Sequence, residues 1–197
     1  IICLSLLPTV ENEIFGPFAI ELCGFLLEKY DNGEHYEIED DLIKQKTFIL
    51  SIIDTVIRHF PALSEPLVQQ TFEKIQENLA PEGFEELHPN LIDSSLGCLG
   101  SLIRINNEQS SPFIEYCFSV VTSLYDISLL NNVICRSIID LLRDVADICP
   151  DAIFGFYEQW NKFNSLIETG LGGIKSKTTT GGLLLTLYEF MHSTGEE

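Results

Sequence analysis

Basic residues are scarce in this chain. Eleven Lys and Arg face thirty Asp and Glu over 197 residues, for a formal charge of −19. Nucleic acid and anionic membrane both ask for positive charge on the protein, so the balance argues against either as a partner. It favours a basic partner, or serves solubility alone. Strand signals are also missing, since apolar and polar residues alternate over no sustained stretch. The one Asn-Gly pair, Asn32–Gly33, sits in an acidic loop and not between β-branched runs. No apolar run reaches the ~18 uncharged residues that a spanning helix needs. The six cysteines, Cys3, Cys23, Cys98, Cys117, Cys135 and Cys149, show no Cys-x-x-Cys spacing, and most lie in helical apolar stripes. They read as buried thiols of a reducing compartment and not as a disulfide framework.

Catalytic constellations are absent too. The stretch Gly170-Leu-Gly-Gly-Ile-Lys175-Ser176 resembles a phosphate loop, but Ile174 stands where the glycine before the lysine belongs. A helix, not a strand, is expected before it, and phosphate cradling needs the strand–loop–helix frame. His35, His59, His88 and His192 are far apart and have no i, i+4 partner, so no metal or other cofactor is expected. There is no Gly-x-Ser-x-Gly. The chain reads as a non-enzyme.

What remains is helical periodicity. Pro112–Tyr125 and Leu129–Ile148 read as two amphipathic helices folded back on each other, with Ser111 as N-cap and Pro150 as the stop. Earlier helices are expected at Glu13–Lys29, Asp40–Phe60, Glu65–Leu79 and Glu85–Ile105. The first should bury Ile14, Phe18, Leu22, Phe25 and Leu26, with Pro17 in its first turn. Asp40–Phe60 has a second apolar strip at Phe48 and Ile52, which predicts contact on two sides. Short helical pieces follow at Ala152–Tyr157 and Asn161–Glu168, then a last helix at Leu183–Met191. Ile1–Leu7 is apolar without a Met or a basic start, so it reads as the cut end of a helix and the chain as a fragment.

Proline spacing organises these helices. Pro17, Pro66 and Pro112 open successive units, and another begins near Asp151. The period of about 40–49 residues, two helices per unit, is the register of HEAT or armadillo arrays. The expected fold is all-α: an α-solenoid of about four HEAT repeats with pairs at 13–60, 64–105, 111–149 and 151–193, one array over 1–197. The second helix of each pair should line the concave side. The inner-face acids expected to meet a cationic helix are Asp41, Glu85, Glu86, Asp93 and Asp147, which lack an obvious base on their own helix face, together with Asp140.

Four segments then carry a family resemblance. Lys46-Thr-Phe-Ile-Leu-Ser-Ile-Ile53 resembles "KPQILSVF", and Ile138 to Asp151 resembles "GLIGDIAAMFPD" with Asp144, Pro150 and Asp151 in register. Phe156, Tyr157 and Trp160 resemble "QFYGQDW", and Ser176-Lys-Thr178 falls where the pattern has "SKT". These are motifs of the importin-β (karyopherin-β) family, in the order of its C-terminal region. Leu187 stands where that family has the tryptophan of "ARW". The resemblance implies a nuclear import receptor whose C-terminal half wraps the basic importin-β-binding segment of importin-α. It also implies binding of Phe-Gly nucleoporins, release by Ran-GTP through repeats outside this chain, and a place in cytoplasm, nucleus and nuclear pore. The alternative is a HEAT scaffold of another complex, another karyopherin or a phosphatase-type scaffold.

Overall fold

The computed structural model describes residues 12–31, 39–80, 88–105, 111–128 and 131–159. Among these the protein is all-helical, with no strand. Seven α-helices run α1 (Asn12–Glu28), α2 (Glu39–His59), α3 (Glu65–Asn78), α4 (Pro89–Ile105), α5 (Ser111–Ser128), α6 (Asn132–Ile148) and α7 (Pro150–Gln159), with a 3-10 turn at Pro61–Leu63. The expectations for Ile1–Leu7, the acidic loop, Glu85, Glu86, Trp160 and everything after it lie outside the described residues. The chain divides into two compact units between Ile105 and Asn106, and each is described by itself.

Helix boundaries follow local chemistry. The helix expected from Glu85 starts at Pro89 instead. A proline suits the first helical position but pushes the residue before it out of helical backbone, so His88 ends the extension and its carbonyl accepts from Leu91 and Ile92. Asn131 caps α6, its side-chain oxygen accepting from Val133 N (3.0 Å) and Ile134 N (3.3 Å), so α6 begins three residues later than Leu129. Ser111 lies inside α5 and is not its cap, and α5 continues through the expected turn to Ser128. Pro150 ends α6 and opens α7 at its first position. Pro17 is the sixth residue of α1, past the first turn, where it removes a helical donor.

In the first unit α1 packs on α2 and α3, and α2 and α3 both pack on α4. Within each pair the helices run antiparallel: Phe15 near the start of α1 meets Phe60 just after α2, while Gln45 near the start of α2 reaches the Lys29 carbonyl. Between pairs they run parallel. Leu50 meets Cys98, Ser51 meets Ser94, and Asp54 meets Ser101 from α2 to α4. Tyr30 just after α1 meets Asn78 at the end of α3. These contacts join residues 48, 43, 47 and 48 apart in sequence. These separations fall within the range of about 40–49 residues that spaces the prolines.

The core between these pairs holds Leu50, Ile53, Ile57, Ile75, Ile92, Leu96, Leu99, Leu102 and Ile103, all essentially inaccessible. Burial of that many aliphatic chains, each contributing roughly 1.5–3 kcal/mol, is what holds the unit together. On α1 the expected face is wrong. Phe18 (58% exposed), Leu22 (40%) and Phe25 (55%) point outward, and Ala19, Cys23 and Leu27 point inward. Near its start α1 comes close to the 3-10 turn: a Cβ on Gly16 would lie 2.6 Å from Leu63 Cδ1 and 3.3 Å from the Phe60 ring.

In the second unit α6 packs on both α5 and α7. Ile134, Ile138, Leu141, Leu142 and Val145 of α6 are buried, as are Cys117, Val120, Val121 and Leu124 of α5, which packs on α6. Leu141 is buried as its place in the longest stripe predicts. Val133 of the same stripe is 41% exposed, since it lies in the first turn beside the cap.

Candidate functional site

The parallel stacking of α2 on α4 sets a polar strip above the apolar core of the first unit. Asp54 is its centre. Its Oδ1 accepts from Ser101 Oγ (2.5 Å) across the interface and from Arg58 Nε (2.9 Å) one turn along α2. The Arg58 guanidinium extends toward the Gly97 carbonyl at 3.5 Å. Ser51 and Ser94 hydroxyls meet at 3.4 Å one turn nearer the N-terminus. Beneath them the Cys98 thiol points at the Leu50 carbonyl (3.1 Å), and burial pushes that thiol well above its ordinary range. A protonated, buried thiol is a donor here and not a nucleophile.

The other end of the first unit carries a second polar cluster. Asn78 donates both amide protons, to Tyr30 Oη (2.6 Å) and Ser95 Oγ (3.1 Å), all three being buried. Beside them Asp31 sits between two lysines, Lys46 (2.9 Å) and Lys74 (2.5 Å), each also within 6.0 Å of the Tyr30 ring centre. Partial burial raises the Asp31 carboxyl, but hydrogen bonds from Lys74 and Lys46 outweigh it and hold the group below the usual range. This cluster fixes the register of α1 against α3 and α2 and presents no reactive group.

The predicted inner-face acids divide. Asp41 has a base after all: Lys44 Nζ lies 2.9 Å from its Oδ1, because an i, i+3 spacing puts the two on one face. Asp140 is flanked on its own helix by Arg136 (3.5 Å) and Arg143 (3.6 Å), so it takes part in an internal network. Asp93 is exposed on α4 next to Ser94, and Asp147 is exposed near the end of α6. Asp41 stands ten residues before Ser51, about 15 Å along α2, so it and Asp93 are not one cluster. Glu85 and Glu86 lie outside the described residues. Apolar spacing does not single out Ser94 and Ser101; their i, i+7 spacing on α4, which puts both on one helix face, is the signal in the sequence.

Among the described residues no group of three His, Cys, Asp or Glu side chains could hold a metal ion, and no helix is long and apolar enough to cross a membrane. Comparison of the chain with protein families, with curated proteins and with solved structures finds no match.

Proposed function

We propose that the chain is a non-enzymatic protein-binding array of HEAT-type helix pairs, serving as a nuclear import receptor segment of the importin-β kind. The observation that supports the reading is one interface in the first unit whose contacts join residues 43 to 48 apart, with first helix on first helix and second on second. Helix pairs that stack in register bury their apolar sides against neighbours and leave one long polar face for a partner. Here that face is the α2–α4 strip, rich in acceptor groups, on a chain of charge −19. A basic segment such as that of importin-α suits it by charge. Phe-Gly nucleoporins, and Ran-GTP acting through other repeats, belong to the same reading by resemblance.

A pull-down of the full chain with a basic importin-β-binding peptide, at low and at high salt, tests it. Capture that fades as salt rises supports the reading, since exposed charge pairs are screened. Asp93→Lys should slow association at low salt, and the deficit should shrink as salt rises. Absence of capture, or capture indifferent to salt, favours the scaffold alternative.

A further inference from the structure

The second unit has a groove of about 570 Å³ between α5 and α7, apart from the α2–α4 strip. Glu115, Phe118, Ser119, Thr122 and Ser123 of α5 form one wall, and Ala152, Gly155 and Phe156 of α7 form the other. Phe118 and Phe156 stack on each other at this groove, ring centres 4.2 Å apart and planes within 7°, so a ligand can reach only an outer face or an edge of the pair. Both rings are half-buried, so aromatic surface lines the groove.

Two of the three hydroxyls on the polar wall have their protons committed to the helix, which leaves Ser119 as the third. Thr122 Oγ1 donates to the Phe118 carbonyl (2.8 Å) and Ser123 Oγ to the Ser119 carbonyl (3.0 Å). With their protons so committed, these hydroxyls offer lone pairs. Glu115 is an exposed carboxylate with no ion-pair partner among the described residues. Among the described residues no Lys, Arg or His lines the groove. Opposite this wall, a Cβ on Gly155 would meet nothing within 4 Å, so the α7 side is open.

We propose that this groove binds an arginine side chain of a partner protein. The guanidinium is flat, stacks on aromatic surface, carries five donors and no acceptor, and is always charged. It matches the aromatic surface, the acceptor wall and the single carboxylate at once. An ammonium matches the charge but stacks less well, and a phenyl ring leaves Glu115 without a partner.

The test is fluorescence anisotropy of the full chain with three labelled peptides, alternating Gly-Arg, Gly-Lys and Gly-Phe. The Gly-Arg peptide should bind about three- to tenfold more tightly than Gly-Lys. Gly155→Leu fills the groove at a position where the fold has room, and it should abolish that preference. Glu115→Gln should weaken Gly-Arg binding about three- to fivefold, whereas Glu21→Gln, the same charge change on α1, should have less effect. Equal binding of the Arg and Lys peptides, unmoved by Gly155→Leu, would reduce the effect to attraction by the net charge and overturn the site. Tighter binding of Gly-Phe, lost in Gly155→Leu, would overturn the arginine assignment. So would no binding of any peptide.

Discussion

Removing the Asn78 amide tests how the two helix pairs of the first unit are locked together. Asn78 ends α3, and its two amide protons go to Tyr30, just after α1, and to Ser95 of α4. One side chain thus ties three helices. Asn78→Ala deletes two hydrogen bonds with a net contribution of ~1 kcal/mol each. It also strands the Tyr30 and Ser95 oxygens where no water reaches, since both residues are wholly buried. A stranded buried polar group costs roughly 1–3 kcal/mol, and partial relaxation brings the expected loss to about 2–4 kcal/mol. Tyr30→Phe should cost only about 1 kcal/mol, because the amide keeps Ser95. The double variant should then cost less than the sum of the singles, with a coupling of about 0.5–3 kcal/mol. Urea unfolding of the four proteins measures all three quantities. A loss below roughly 1 kcal/mol for Asn78→Ala, or strict additivity, would refute the claim that this network joins the pairs.

Three further changes have expected outcomes. Leu141→Ala, at a wholly buried site in α6, should cost about 2–5 kcal/mol in denaturant titration, and a loss under roughly 1 kcal/mol would mean that its stripe is not core. Thr71 Oγ1 is buried without a hydrogen-bond partner among the described residues, so Thr71→Val should raise stability, by ~1 kcal/mol, where a partnered hydroxyl would lower it. Asp31 has a depressed carboxyl, so its contribution is present above the ordinary aspartate range near 3.8 and is lost as pH falls through its lower folded value. The stability gap between the wild type and Asp31→Asn should therefore be flat near neutral pH and close in acid. A gap that persists in acid would show that the lysines do not act on its charge.

The helical class and most of the core were legible because they rest on periodicity alone. Leu50, Ile53, Val56 and Ile57 fall on one face of any helix drawn through them, and all are buried. Ends were less legible where a cap competes with a stripe. At Asn131 the Asx side chain offers two backbone hydrogen bonds, and at His88 the following proline excludes helical backbone, and neither effect shows in apolar spacing. The face of α1 was not legible at all. That helix is apolar nearly all round, so apolar spacing does not single out one face.

Charge explains why the acids resisted assignment. Lys44, Lys46, Arg58, Lys74, Arg136 and Arg143 each sit within 4 Å of an Asp or Glu oxygen. Many of the chain's few bases are thus committed locally, and such pairs are dipoles that contribute little beyond a Debye length of ~8–10 Å. The excess acid remains as a net field. Reversing one acid to Lys changes the charge from −19 to −17, about a tenth of that field. Long-range attraction of a cationic partner therefore belongs to the chain as a whole, and no single carboxylate can dominate it. Selectivity has to come from short-range geometry. In the first unit Ser101 and Arg58 fix the Asp54 acceptor from two directions, so on the proposed reading a partner has to compete with Arg58 for that oxygen.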